Sequence, residues 1–227
     1  MEHHNRPASC HAVIVFLKSP EKGRVKTRLS KVLDESFVLA LYRGFIHDTL
    51  FMLQSFPDKF IYFLPSEKEA YLRSWLGSNY QYVLQTGRDL GEKMSNAFKE
   101  GFERGFDRLV LIGTDIPEIT EAILLQAFET LETNDAVIGP ATDGGYYLIG
   151  FRKESFSEEI FFDMNWSAGN VFQDTLKAMD KLNLKYGKVF ELNDVDTAED
   201  LDTLLSRVKN GGRIGPHTRK MIESYEN

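Results

Sequence analysis

Two stretches of this chain concentrate residues that could handle a phosphate or a metal ion. The first, SPEKGRVKTRLS from Ser19 to Ser30, carries four cations, Lys22, Arg24, Lys26 and Arg28. Pro20 and Gly23 shape a turn within it. It follows directly on the apolar run AVIVFL at 12–17. Lys26 and Arg28 stand two apart, so on an extended segment they point the same way. Such a pair could clamp a di- or triphosphate, with Arg as a planar fork and Lys as a point charge, while Lys22 and Arg24 stay solvated. The competing reading is an exposed loop, where Lys and Arg are ordinarily found. The loop is not a Walker A motif, because no second glycine is placed before Lys26.

The second stretch, LVLIGTDIPEIT at 109–120, is an apolar strand running into Gly113-Thr114-Asp115. A carboxylate at a strand's carboxyl end suits Mg²⁺, which takes one or two carboxylates plus substrate phosphates. Asp115 could instead be a turn or cap residue, but Thr120 is a sufficient cap for the next helix. Further on, ELNDVDTAEDL at 191–201 contains Thr197 and Asp200 at capping-box spacing. That leaves Asp194 and Asp196, after a short strand, as a further contribution to a metal site. An EF-hand is excluded, because Glu199 stands where that loop needs glycine.

Three more segments have double readings. Asp143, Gly144 and Gly145 in GPATDGGYYLIG give a hairpin turn signal, yet the glycines also permit close backbone approach to a ligand. In TGRDLGEKM, Asp89 and Glu92 fit a cap and its partner, which leaves Arg88 over. Gly91 costs propensity in the first helical turn and hints at close packing or ligand approach. Trp166 could stack on a base or sugar, or serve as a core or rim aromatic. No G-x-S-x-G elbow or H-E-x-x-H motif occurs, and His3, His4, His11, His47 and His217 lack zinc-ligand spacing.

The elements that must position these residues alternate. Apolar runs at 12–17, 60–64, 108–113, 135–139 and 146–150, with a shorter one at 82–84, read as strands. Helical stripes run through Val38 to Leu50, Leu90 to Phe102, Ile123 to Leu131 and Leu201 to Val208. Such alternation predicts an α/β fold with a mostly parallel sheet covered on both faces. Its ligands bind beyond the carboxyl ends of the strands. The connection between 135–139 and 146–150 is too short for a crossover helix, so it predicts a short antiparallel excursion.

The chain has 227 residues, 42% of them hydrophobic, enough for one sizeable core. With 34 acidic against 27 basic residues the net charge is -7, which opposes nucleic-acid or anionic-membrane binding and reserves the basic loop for a small anion. Cys10 stands alone, so no internal disulfide forms. The polar start and the shortness of the 12–17 run oppose a signal peptide or a span, and the chain reads as a soluble cytoplasmic protein. Residues 1–10 are expected to be poorly ordered, 11–210 to form the domain, and 211–227 to be a tail or short helix. The sequence leaves the oligomeric state open.

Taken in order, Pro20 to Leu29, Asp89 to Met94, Gly113 to Pro117, Asp143 to Gly150, Trp166-Ser167 and Asp194 to Leu201 carry a resemblance over nearly the whole chain. The chain resembles the glycosyltransferase-like family associated with radical-SAM/selenobacterial domains. That family lies in the nucleotide-diphospho-sugar transferase superfamily. Lys93 stands where the family usually has Arg, Ala198 where Pro is common, and the segment around Trp166 is looser than the family pattern. The resemblance implies a single-domain, Rossmann-like GT-A fold. It implies Lys26 and Arg28 on the donor's phosphates, with Arg88, Thr114 and Asp115 completing the nucleotide site. It implies Mg²⁺ or Mn²⁺ on Asp115, with Asp196 as a second ligand. Asp143, Gly144, Gly145 and Trp166 would line the acceptor side.

The partners so implied are a nucleotide or nucleotide-sugar donor and a small-molecule acceptor. Two transfers fit. Attack of the acceptor on the sugar carbon expels a nucleoside diphosphate. Attack of an acceptor phosphate on the α-phosphorus expels pyrophosphate, as in the guanylyl- and cytidylyltransferases of the same fold. A nucleotide-binding module without catalysis and a structural or partner-binding protein stand as rivals.

Overall fold

The computed structural model describes residues 10–166 and 168–226. The expected poorly ordered N-terminus, apart from Cys10, and Ser167 lie outside the described residues. The elements run β1 (His11–Lys18), α1 (Glu35–Met52), β2 (Lys59–Leu64), α2 (Glu69–Leu76), β3 (Gln81–Leu84), α3 (Leu90–Glu103), β4 (Arg108–Ile112), α4 (Glu121–Thr133) and β5 (Ala136–Pro140). They continue with β6 (Tyr146–Arg152), α5 (Val171–Lys181), β7 (Tyr186–Lys188), α6 (Ala198–Lys209) and α7 (Pro216–Glu226).

The strands form one sheet in the order β3-β2-β1-β4-β6-β5-β7. All neighbours are parallel except β6, which runs antiparallel to both β4 and β5. This is the α/β architecture with a mostly parallel sheet and one antiparallel excursion that the alternation predicts. The six apolar runs are β1 to β6. Central β1 is apolar on both faces because both faces are covered. Val13, Val15 and Leu17 enter the core that α1, α4 and α6 close. Ala12 and Ile14 enter the opposite core, closed by α3 and α5.

α1 and the short turn after it, Glu35–Ser55, are long and apolar enough to cross a membrane by composition. The packing accounts for that apolarity: Leu41, Phe45 and Ile46 are fully buried in the core. α7 docks on α1 through the buried Asp48 carboxylate, which accepts from the His217 and Thr218 amides at 3.0 and 2.8 Å. At the far end of the same helix Tyr225 stacks on Phe37.

α2, α5 and β7 are not foreseen by the periodicity. α2 buries only Leu72, and the stripe of α5 is short, with Val171, Leu176 and Met179 as its apolar members and Thr175 between them. β7 has three residues and pairs along β5 only. The short strand expected just before Asp194 is β7, which ends earlier, at Lys188. Beyond it the chain stays beside the sheet without forming a strand: the Val189 amide donates to the Ile138 carbonyl at 3.1 Å, and Leu192 bridges to Ala141.

Candidate active site at the carboxyl ends of the strands

The carboxyl ends of β1, β4 and β5, with the amino end of antiparallel β6, surround a cavity of about 460 Å³. Asp115, Asp143, Asp194 and Asp196 all line it. A smaller cavity of about 280 Å³ adjoins it beneath the basic loop, sharing Lys18, Tyr42, Asp115 and Asp196 and adding Lys26 and Arg28.

The loop is not extended, which corrects the geometry that put Lys26 and Arg28 on one side. Gly23 and Lys26 have φ of 72° and 48°, and Arg28 is helical at φ −70°, ψ −43°, just ahead of a 3-10 turn over Leu29–Lys31. Two apolar pegs, Val25 and Leu29, are buried in the core and hold the loop in this shape. Between them the Lys26 ammonium lies 2.7 Å from Asp115 Oδ1 and 2.8 Å from Asp196 Oδ1. Its side chain is 4% exposed, whereas the two carboxylates are 51% and 40% exposed. Burial alone pulls the Lys26 pKa down. The charges of Asp115 and then Asp196 outweigh burial and hold the ammonium above its ordinary value. Arg28 is exposed at the mouth of the smaller cavity. Lys22 reaches Ser36 Oγ at the surface, and Arg24 pairs loosely with Glu21.

The acidic side is positioned by backbone. β4 delivers Thr114 and Asp115. The Thr114 hydroxyl is buried and shares a 3.2 Å hydrogen bond with Tyr42 Oη, which also donates to the Lys18 carbonyl. The Val195 amide donates to the Asp115 carbonyl at 3.2 Å, tying the segment before α6 to the end of β4. The capping box of Thr197 and Asp200 is present, and Asp200 Oδ2 also accepts from the Asp196 amide at 3.0 Å. Asp196 is thereby held facing Lys26. Thr120 stands at the cap position of α4 without a side-chain hydrogen bond.

Asp194, offered by the sequence with Asp196 as a contribution to a metal site, lines the main cavity but makes no contact with Lys26 like those of Asp115 and Asp196. Burial, then the neighbouring charges of Asp143 and Asp196, push its carboxyl up to about 6. The signal was the Asp-x-Asp spacing ahead of a capping box that needs neither residue. Tyr42 gave no signal, because a tyrosine within a helical stripe reads as core.

The remaining expected site residues fall in different places. Asp143 and Gly145 line the main cavity, and Asp143 Oδ1 accepts from the Gly145 amide at 2.8 Å. Gly144, at φ 89°, turns its α-carbon against the Gly169 carbonyl, where a Cβ would overlap it. Its glycine is therefore a backbone-packing requirement. Trp166 lines the main cavity and lies on α3, where a Cβ at Gly91 would come within 2.6 Å of its ring. That contact accounts for the costly glycine in the first turn. Arg88 lies apart: its Nε donates to Glu92 Oε1 at 2.7 Å, and its side chain is 90% exposed on the far side of Trp166.

Among the described residues, no group of three or more His, Cys, Asp or Glu side chains is arranged to hold a metal ion. Asp115 and Asp196 nevertheless converge on one cationic point, occupied by the Lys26 ammonium. Two carboxylates fit Mg²⁺ or Mn²⁺ when phosphate oxygens and water supply the other ligands.

The model of a family described as uncharacterised proteins conserved in bacteria, DUF2064, matches residues 51–168. That span holds Asp115, the Asp143–Gly145 turn and Trp166, and leaves Lys26 and Asp196 outside. None of the curated proteins matches the chain. Among solved structures, a "putative nucleotide-diphospho-sugar transferase" from Desulfovibrio desulfuricans G20 is 37% identical, with 96% of each chain covered and a TM-score of 0.91. The 4-diphosphocytidyl-2C-methyl-D-erythritol synthase of Anaerococcus prevotii DSM 20548 is 13% identical, with 88% of this chain and 96% of that chain covered and a TM-score of 0.58. A cytidylyltransferase from Leptospira borgpetersenii is 14% identical over 95% of this chain and 93% of that one, at a TM-score of 0.55. These last two share the fold alone. The chain belongs to the DUF2064 family, with the fold of the nucleotide-diphospho-sugar transferase superfamily.

Proposed function

We propose that this protein is a metal-dependent transferase that uses a nucleotide-activated sugar donor and a small-molecule acceptor. The observation that carries the reading is the buried Lys26 ammonium bridging Asp115 and Asp196 at the carboxyl end of the sheet. The name of the 37% identical relative supports the donor class. The narrower resemblance to radical-SAM-associated, glycosyltransferase-like proteins belongs to the same reading.

In this account Lys26 and Arg28 bind the donor's phosphates, and Asp115 and Asp196 hold Mg²⁺ or Mn²⁺. The metal, when bound, neutralises charge on the diphosphate leaving group. Asp194 lines the same cavity beside Asp143 and is placed as the general base. It takes the proton of an acceptor hydroxyl as the new carbon–oxygen bond forms. The bond from the sugar carbon to the phosphate oxygen breaks, and the nucleoside diphosphate leaves with that electron pair.

Nucleotidyl transfer is the second reading, because the fold is shared with cytidylyltransferases. It requires a phosphate acceptor, and Asp143 and Asp194 would face that phosphate with like charge. This disfavours it relative to sugar transfer.

A thermal-shift panel of nucleotide sugars and nucleoside triphosphates with Mg²⁺ tests the proposal. A ligand at 100-fold its dissociation constant adds about 2.7 kcal/mol of stability. The expected hit is a nucleotide sugar whose shift is lost in Asp115→Asn. A flat response across the panel, or a shift indifferent to Asp115, rules the reading out. A response to triphosphates alone moves the assignment to nucleotidyl transfer.

A further inference from the structure

A second cavity, of about 640 Å³, opens on the other side of Trp166. Trp166 lines both cavities, and the amino end of α3 completes the partition. Leu90 and Met94, four apart, face the main cavity, whereas Gly91 and Ser95, one position further round the helix, face the second.

Three features define what this second cavity can hold. Asp89, Glu92, Glu158 and Asp163 line it, with Arg88 as the one lining cation among the described residues. Arg88 is engaged by Glu92, and Lys99, from outside the lining, engages Glu158. The cavity therefore keeps an acidic excess. Ser95 is buried, at 4% exposure, and its hydroxyl has no hydrogen-bond partner among the described residues. An unmatched buried hydroxyl is costly unless something outside the chain pairs with it. Finally, Phe161, Phe162 and Trp166 supply aromatic surface, and Phe162 is 55% exposed. Aromatic faces flanked by carboxylate acceptors and a hydroxyl match the alternating apolar and hydroxyl faces of a polyol or amino sugar. They repel a phosphorylated compound.

We propose that this cavity is a binding site for a neutral or cationic polyhydroxyl compound. It receives the part of the acceptor remote from the reacting hydroxyl, which lies on the Asp194 side of Trp166. The acceptor role, but not the binding site itself, rests on the donor reading of the main cavity.

Glucosamine, glucose and glucose 6-phosphate share one ring and differ in charge. Their binding to the full-length protein by saturation-transfer NMR, beside calorimetric titration of GDP and UDP with Mn²⁺, tests the proposal. Glucosamine and glucose should saturate at millimolar concentration, with glucose 6-phosphate weaker by roughly tenfold or more. Asp163→Asn, which keeps a residue tolerant of the local φ of 56°, should narrow that gap. Ser95→Ala should weaken glucose binding while raising the urea midpoint of the free protein, an opposition that a merely structural serine would not show. Neither variant should move nucleotide binding. Preferential binding of glucose 6-phosphate overturns the proposal. So does failure of all three sugars while a nucleoside diphosphate still binds. If the sugars bind and no nucleotide does, the cavity stands and the donor reading falls.

Discussion

The linkage of Lys26 to two carboxylates makes a quantitative prediction about stability. At 2.7 and 2.8 Å, each pair has a gross Coulomb attraction of about 6 kcal/mol at an effective dielectric constant near 20. Most of that is offset by the desolvation of Lys26, and the half-exposed carboxylates are further screened by water. Asp115→Asn or Asp196→Asn alone removes one attraction but also relieves the repulsion between the two carboxylates. Each single change should therefore cost only about 1 kcal/mol. The double change leaves a buried ammonium with neither carboxylate partner, a state that costs about 3–5 kcal/mol. The expected excess over additivity is about 1–3 kcal/mol. Adding Lys26→Met to the double variant should restore most of the loss, since a buried ion cluster replaced by an apolar side chain is often neutral or stabilising. Urea unfolding at neutral pH and low salt measures all four variants against the wild type. A double variant whose cost equals the sum of the singles within about 0.5 kcal/mol, or a triple variant no more stable than the double, refutes the reasoning.

Further outcomes follow from the same geometry. Lys26→Met should tighten Mn²⁺ binding to the nucleotide-free protein, because both carboxylates lose their internal cation, and should weaken nucleoside diphosphate binding; calorimetry that shows weaker Mn²⁺ binding contradicts this. Asp194 has a folded-state pKa raised to about 6, so its contribution is fully present below the ordinary carboxylate pKa and is lost as pH rises through 6. Asp194→Asn should therefore stabilise the metal-free protein above pH 6, by about 1 kcal/mol once its exposed part is discounted for screening, and reduce turnover by roughly a hundredfold or more; equal stability of the two proteins across the pH range is the contrary result. Gly144→Ala forces a Cβ onto the Gly169 carbonyl at a φ of 89° and should destabilise by about 3 kcal/mol or more, whereas a wild-type melting temperature would show that the turn can yield.

Much of the scaffold was legible because its strands are apolar on both faces and its main helices carry regular stripes. Residues 12–17 and 108–113 announced the two strands whose ends build the site. α5 was missed although Val171, Thr175, Leu176 and Met179 stand at helical spacing, because the stripe is short and one of its four members is a threonine; β7 was missed because three residues with a central glycine carry no period. The site was legible in residue type more than in geometry. Lys26, Asp115 and Asp196 meet at one point, although 170 residues separate the first from the last. What the chain's order could not convey is that Lys26 sits in the left-handed region between two buried apolar pegs. Lys26 and Arg28 therefore do not lie on one side of an extended segment. Arg88 misled in the opposite sense: a cation left over beside a helix cap is satisfied by the acid one turn later. Gly91 pointed correctly to a close approach, and Trp166 is what approaches.

The most direct test of the central claim is calorimetric titration of nucleoside diphosphates into the protein with and without Mn²⁺, repeated on Asp115→Asn and Lys26→Met. The account predicts saturable binding of at least one nucleoside diphosphate that requires the metal in the wild-type protein and collapses in both variants. Binding that is indifferent to the metal and unchanged in Asp115→Asn would contradict it.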